Sequence, residues 1–169
     1  MTRRAGILGL GRRGGSWVRT CLAAGWQVSG FDPEPRAGPR LDAGDAWYRA
    51  ETISAAVQDA ELVIACLPER LELMRMVLQR AQAEAPGAVL AVASRQFDAP
   101  AIQLCALQAG RVLRLAREAG GQVVLEVSAR NGDEFRDDAR AYFIELQPLN
   151  AKLQPLLREA HSGRDATKP

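Results

Sequence analysis

The sequence is poor in the side chains that enzymes most often use to move protons. Its 169 residues include one histidine, His161, and two lysines, Lys152 and Lys168. His161 and Lys168 fall in a polar C-terminal stretch, and Lys152 falls on the last predicted helix, away from the expected crevice. No general acid or base is therefore predicted, and the catalytic residues stay unknown.

Cysteine pairs, long apolar runs and a strong net charge are also missing. Cys21, Cys66 and Cys105 are widely spaced and form no CxxC pair, so we expect buried free thiols and no metal site. No run approaches the roughly 20 apolar residues of a membrane span. The segment that follows Arg4 is too short and glycine-rich for a secretory signal, and the net charge is only +2. We expect a cytoplasmic protein without membrane or nucleic-acid partners.

The composition that remains is that of a globular protein, with 47% hydrophobic and 25% charged residues. A chain of 169 residues is about the size of one domain. We assign residues 1–161 to a single domain and residues 162–169 to a polar C-terminal tail.

Apolar runs that read as strands alternate with segments of helical periodicity along this domain. Such alternation predicts an α/β fold, a doubly wound and mostly parallel (Rossmann-like) sheet. The predicted strands cover 5–10, 26–31, 62–67, 88–93, 122–127 and 141–146, and the predicted helices cover 14–24, 53–58, 71–84, 98–119 and 149–160, with a short helix or strand near 46–48.

Three glycines, Gly9, Gly11 and Gly14, form G-x-G-x-x-G between the first predicted strand and helix. In a dinucleotide-binding turn the first glycine allows the tight turn, the second admits a pyrophosphate, and the third permits close packing of helix on strand. Leu10 lies between the first two glycines. The alternative is a glycine-rich turn that binds no ligand.

Charged residues flank this turn. Asp32 ends the second strand, where a carboxylate accepts hydrogen bonds from an adenosine ribose and repels a 2′-phosphate, which favours NAD over NADP. Arg36 and Arg40 in the next loop weaken that preference. Arg12 and Arg13 are candidates to pair with phosphate oxygens. The alternatives are a turn residue before Pro33 for Asp32 and solvated side chains for the two arginines.

Ligands of doubly wound sheets bind beyond the carboxyl ends of the strands. Leu67, Pro68 and Ser94 follow two predicted strands, so we expect them to face the cofactor, and Ser128 and Asn131 follow a third and are weaker candidates for a substrate. All three polar residues have the alternative of ordinary cap or turn positions. Glu126 lies within a predicted strand, where it needs water or a partner, and is not assigned as a base.

The order of these segments resembles the NAD(P)-binding domain of the β-hydroxyacid dehydrogenases, such as 3-hydroxyisobutyrate and 6-phosphogluconate dehydrogenases. The segments that resemble this family are ILGLGRRGGSWVRTCLAAGWQVSGFDPEP, AAVQDAELVIACLP, PGAVLAVASRQFDAP, AREAGGQVVLEVSARNG and YFIELQPLNAKLQPLLREA. GRRGGSW is also similar to prephenate dehydrogenases, and VIACLPERLELMRMV to 3-hydroxyacyl-CoA dehydrogenases.

The resemblance implies an NAD cofactor and cofactor contacts at Gly9, Leu10, Gly11, Asp32, Leu67, Pro68 and Ser94, with a substrate contact at Ser128. It also implies that the family's catalytic lysine, on a helical second domain, has no counterpart in this chain. We therefore expect an oxidoreductase-family cofactor domain that acts as a homodimer or with a helical partner subunit. A non-catalytic nucleotide sensor or scaffold, a pseudoenzyme, is the alternative.

Overall fold

The computed structural model of the protein describes residues 2–41 and 44–161. Its strands and helices alternate through the first two thirds of the chain. The strands are β1 (Arg4–Leu8), β2 (Gln27–Phe31), β3 (Trp47–Arg49), β4 (Leu62–Ala65), β5 (Val89–Ala93), β6 (Val112–Arg117), β7 (Val123–Val127) and β8 (Leu153–Glu159). The helices are α1 (Arg12–Ala23), α2 (Ile53–Val57), α3 (Leu71–Glu84), α4 (Ala99–Gln103) and α5 (Asp133–Leu146).

All eight strands form one sheet in the order β3-β2-β1-β4-β5-β6-β7-β8. Pairing is parallel from β3 to β6, β7 runs antiparallel to β6, and β8 runs parallel to β7. The prediction of a doubly wound, mostly parallel α/β sheet is confirmed. Because of the reversal at β7, the strands β7 and β8 begin at the side of the sheet where β1, β4, β5 and β6 end. We call this side, formed by the carboxyl ends of the parallel strands, the carboxyl edge.

Helices cover both faces of the sheet, as the buried apolar residues of a parallel sheet require. On one face Trp17 and Val18 of α1 and Phe143 of α5 pack on the sheet, and we call this the α1 face. On the other face, Val57 of α2, Leu78 of α3 and Ile102 of α4 form a second apolar layer, and we call this the α4 face. None of the described helices is long and apolar enough to cross a membrane.

The sequence prediction is accurate up to β5. The prediction for α3 has the observed bounds, α1 begins two residues earlier than predicted, and Thr52 caps α2 through a bond from the Ala55 amide of 3.0 Å. The uncertain segment near 46–48 is the edge strand β3. The predicted tail, 162–169, lies outside the described residues.

Three later predictions are wrong. The helix predicted over 98–119 is the five-residue α4 followed by a separate strand, β6. β6 lies between β5 and β7 and is buried on both faces, so its apolar run lacks the alternation that marks a strand.

The two remaining errors exchange a strand and a helix. Residues 141–146 belong to α5, whose buried residues Phe135, Ala139, Phe143 and Leu146 recur at helical spacing. Residues 149–160 were predicted as a helix but contain β8, which includes Pro155. β8 has a neighbour on one side only among the described strands, and proline is tolerated on such an edge strand.

Candidate functional site

The glycine-rich turn joins β1 to α1 at the carboxyl edge of the sheet, and each glycine meets different surroundings. Gly9 has a φ of +88°, and a Cβ there would lie 2.2 Å from the Cys66 carbonyl oxygen. A Cβ on Gly14 would lie 1.7 Å from the Gly9 carbonyl oxygen, so helix and strand touch there. A Cβ on Gly11 would have no atom within 4 Å. Gly9 and Gly14 are therefore needed for packing, whereas Gly11 borders open space.

The N-terminus of α1 opens onto that space without a cap. Gly11 provides no side-chain cap, and the first turn contains no acidic residue. The first amides of a helix have no partner within the helix, and the helix dipole is positive at this end. Arg12 and Arg13 add two more positive charges there, an arrangement that is unfavourable until an anion binds.

Asp32 lies directly beside the turn. Its Oδ2 accepts a hydrogen bond from the Leu10 amide at 2.8 Å, and its Oδ1 accepts one from the Glu34 amide at 2.9 Å. These two bonds fix the orientation of the carboxylate, and each oxygen keeps a lone pair for a further donor. The turn and Asp32, which are 22 residues apart in sequence, thus form one structural unit.

Arg49 is a residue that the sequence analysis missed. From β3 it donates hydrogen bonds to the carbonyl oxygens of Asp32 at 3.1 Å, Glu34 at 2.8 Å and Pro35 at 3.2 Å. It therefore holds the loop that follows β2. No motif marks it, because its role depends on β3 pairing with β2.

Ser94 is linked to the loop after β4 by Glu69, a second residue that was missed. The Ser94 hydroxyl donates to Glu69 Oε2 at 2.7 Å, and the Arg95 amide donates to Glu69 Oε1 at 2.6 Å. Nearby, Leu67 is buried in the core and Pro68 is exposed. The loops after β4 and β5 therefore lie side by side at the carboxyl edge, as predicted from their positions.

Cys66 lies at the same edge, beneath Gly9. Burial raises the pKa of the Cys66 thiol to about 12, and the charge of Arg13 opposes that shift. The thiol therefore stays protonated at neutral pH and is a poor nucleophile. All three cysteines are free; Cys21 and Cys105 are buried as predicted, whereas Cys66 is only half-buried.

A cavity of about 610 Å³ lies on the α1 face of this edge. α1 forms one wall, the ends of β5 and β6 and the start of β7 form the base, and the residues that lead into β8 form the opposite wall. Its basic lining residues are Arg12, Arg13, Arg95, Arg117 and Lys152. The prediction that Lys152 lies away from the crevice is wrong, because Lys152 precedes a strand that begins at the carboxyl edge.

Ser128 and Asn131 are not part of this arrangement. They follow β7, which runs opposite to β6, so they lie at the other edge of the sheet, and the prediction that they contact a substrate at the carboxyl edge is wrong. Both are buried, and both bond to Gln103: Ser128 Oγ lies 2.6 Å from Gln103 Oε1, and Gln103 Nε2 donates to Asn131 Oδ1 at 2.9 Å. The three side chains join α4 to the turn after β7.

Glu126 has the partners that a buried carboxylate requires. Arg114 of β6 and Arg158 of β8 are its cross-strand neighbours and lie 3.1 Å and 3.0 Å from its Oε2, while the Ala99 amide donates to Oε1 at 2.8 Å. Burial acts to raise the pKa of Glu126, but the Ala99 amide and the two arginines outweigh it, so the pKa lies below its ordinary value.

Residues 4–109 match the protein family described as the NAD binding domain of 6-phosphogluconate dehydrogenase. The L-carnitine dehydrogenase of Streptomyces coelicolor is 32% identical over 131 residues, which are 66% of this chain and 41% of that protein. The L-carnitine dehydrogenase/betainyl-CoA thioesterase of Agrobacterium fabrum is 28% identical over 63% of this chain and 26% of that protein. The chain therefore spans well under half the length of these curated relatives.

Among solved structures, (S)-3-hydroxybutyryl-CoA dehydrogenase from Ralstonia eutropha superposes with a TM-score of 0.78 at 15% identity. The match covers 96% of this chain and 65% of that one. The 3-hydroxybutyryl-CoA dehydrogenase of Escherichia coli gives a TM-score of 0.73 at 18% identity, over 94% of this chain and 38% of that one. At these identities the likeness concerns the fold.

Proposed function

The chain belongs to the family of NAD-binding domains of 6-phosphogluconate dehydrogenase, and from this premise we propose that its carboxyl edge holds NAD with the pyrophosphate at the N-terminus of α1. The observation that carries this proposal is the open space at Gly11, between two glycines that packing requires. A pyrophosphate there accepts hydrogen bonds from the unpaired amides of α1 and pairs with the positive charges of Arg12 and Arg13.

The adenosine ribose then lies against Asp32. The carboxylate is already oriented by the Leu10 and Glu34 amides, so it accepts ribose hydroxyls without rearrangement. A 2′-phosphate would meet its negative charge, which favours NAD over NADP. Arg36 and Arg40 are exposed in the loop after β2 and reduce this discrimination without removing it.

The nicotinamide half extends toward Leu67, Pro68 and Ser94, beside the cavity. Bound NAD supplies a hydride acceptor, and its reduced form a hydride donor. Among the described residues, no carboxylate or histidine lines the cavity. We therefore assign to this domain the binding and orientation of the cofactor and of a substrate.

Calorimetric titration with NADH and NADPH tests the proposal. Gly11→Ala adds one methyl group to the open space, whereas Gly87→Ala adds one at an equally open glycine outside the carboxyl edge. We expect NADH to bind more tightly than NADPH. Gly11→Ala is expected to weaken NADH binding by about tenfold or more through steric conflict, and Gly87→Ala to leave it unchanged.

Binding of neither nucleotide would contradict the proposal and favour the non-catalytic sensor or scaffold. Tighter binding of NADPH would contradict the role given to Asp32. An equal loss in both glycine variants would mean that the substitution acts on the fold rather than on the pyrophosphate site.

We also propose that the domain works in the cytoplasm and as a homodimer or with a helical partner subunit. The side chains of Leu149, which borders the cavity, and Leu156, on the edge strand β8, are 42% and 66% exposed. Apolar side chains on an edge strand favour association. Light scattering should give a mass above that of one chain, which Leu156→Glu lowers and Leu104→Glu, at an exposed residue after α4, does not. A monomer at high concentration would contradict self-association.

A further inference from the structure

The cavity on the α1 face has more positive charge than the cofactor requires. Its volume of about 610 Å³ falls within the range of small-molecule sites, about 300–1,000 Å³. Five basic side chains line it, whereas the net charge of the whole chain is +2. A pyrophosphate carries two negative charges, and Arg12 and Arg13 at the N-terminus of α1 match them. Three cations, Arg95, Arg117 and Lys152, are left over.

These three cations are not neutralised by the protein. Within residues 2–41 and 44–161, none of the five basic residues of the cavity forms an ion pair, whereas Arg114, Arg136 and Arg158 all do. The side chains of Arg95, Arg117 and Lys152 are exposed. They are therefore free to bind an anion that enters from solvent.

Two carboxylates next to the cavity, Glu118 and Glu69, form no ion pair with its basic residues. Glu118 follows Arg117 in sequence, but it forms an ion pair with Arg158. Glu69 lies beside Arg95, but its two oxygens accept from the Ser94 hydroxyl and the Arg95 amide. Neither carboxylate lines the cavity. Neither carboxylate therefore takes up one of the basic side chains of the cavity as an ion-pair partner.

The uncharged lining excludes another kind of ligand. Quaternary ammonium groups are recognised by the faces of aromatic rings. Trp17 is the aromatic residue of the lining, but it is only 7% exposed and packs edge to face on Phe143. A cationic head group would find five positive charges and almost no exposed ring.

We propose that Arg95, Arg117 and Lys152 bind the second anionic group of a small organic dianion, a dicarboxylate or a phosphorylated acid, as the substrate beside the nicotinamide. This assignment rests on the proposed function for the position of the cofactor. The three residues come from the loop after β5, the end of β6 and the residue before β8. The half-buried Val123 and the exposed Leu149 give the cavity an apolar wall against which a short hydrocarbon chain packs.

The test is a calorimetric titration of the full chain with malate, with 2-phosphoglycolate and with L-carnitine, each without and with saturating NADH. The site variant is Arg117→Ala with Lys152→Ala. The control variant is Arg75→Ala with Arg80→Ala, which removes two exposed arginines from α3, away from the cavity. Thermal unfolding of both variants checks that they are folded.

We expect malate or 2-phosphoglycolate to bind, and L-carnitine to bind more weakly. The site variant should lose about a hundredfold in affinity for the dianion, tenfold for each charged contact, while keeping its NADH affinity. The control should lose less than about threefold. Tighter binding of malate would identify the ligand class as dicarboxylates, and tighter binding of 2-phosphoglycolate would identify it as phosphorylated acids.

The inference is overturned if neither dianion binds, if L-carnitine binds as tightly, or if the control variant loses as much affinity as the site variant. NADH binding without dianion binding would overturn it and leave the proposed function intact. Dianion binding without NADH binding would overturn the proposed function and with it the assignment as substrate.

Discussion

The part of the sheet that β6, β7 and β8 form has basic residues on both faces, and the two faces differ in what these residues contact. On the α4 face, Arg114 and Arg158 flank the buried Glu126 and are held by it. On the α1 face, Arg117 at the end of β6 and Lys152 before β8 point to a cavity in which no described carboxylate pairs with them. Successive residues of a strand alternate between faces, so one short stretch serves both arrangements.

The difference between paired and unpaired basic residues indicates which face of the sheet binds a ligand. A paired arginine stabilises the fold, because its charge is compensated within the protein. An unpaired cluster that lines a cavity leaves compensation to a ligand. The count of basic residues, 22 in the whole chain, does not distinguish the two, whereas their partners do.

The largest effect is expected from Glu126→Gln, which removes the charge between Arg114 and Arg158. Breaking a buried ion pair costs about 3–5 kcal/mol, and we expect the free energy of unfolding to fall by about 3 kcal/mol at pH 7. Glu159→Gln is the control, because the Glu159 side chain, which pairs with Arg136, is 60% exposed and its loss should cost less than about 1 kcal/mol. Urea unfolding measures both.

The same variant has a pH dependence with a definite sign. The pKa of Glu126 is lowered in the folded protein, so its stabilising contribution is complete above the ordinary value of 4.5 and is lost as the pH falls through the folded pKa. The difference between wild type and Glu126→Gln should therefore be constant at neutral pH and shrink below pH 4.5. A difference that grows on acidification would contradict the pairing.

A smaller effect is expected from Asn131→Ala at the opposite edge. Asn131 Nδ2 donates to the carbonyl oxygens of Gly110 at 3.0 Å and Val112 at 2.9 Å, and its Oδ1 accepts from the Ser128 amide at 2.9 Å. Leaving these buried groups unpaired should lower the free energy of unfolding by about 2–3 kcal/mol without changing NADH affinity. Gln58→Ala, at an exposed position, should change neither. A loss of NADH affinity with an unchanged free energy of unfolding would contradict this and would indicate that Asn131 contributes to the binding site.

The first half of the fold was predictable because local signals agree there. Gly9, Gly11 and Gly14 have a fixed spacing, Thr52 caps α2, and the apolar residues of α3 recur at helical spacing. The cofactor part of the site follows from these features. Its residue assignments remain a prediction that the nucleotide titration tests.

The second half was not predictable because one missed strand changed the direction of the next. Residues 118–122 form a tight turn between β6 and β7, in which the Glu118 amide donates to the Gln122 carbonyl oxygen at 2.7 Å and Gly121 has a φ of +82°. Gly120 and Gly121 directly follow the helix predicted over 98–119, and glycine is typical both of a helix end and of a hairpin turn. With β7 in the wrong direction, Ser128 is predicted at the carboxyl edge, where it does not lie, and Lys152 is predicted away from that edge, where it does lie.

The position of Lys152 also bears on how the protein folds. Arg12 and Lys152 line one cavity, yet 140 residues separate them, and the cavity closes only when β8 has docked on β7. Contacts between such distant parts of a chain form late, because a long loop must first be closed. A ligand in this cavity would bind only the completed sheet, and by mass action it would stabilise the docked state of β8 together with the turn between β1 and α1.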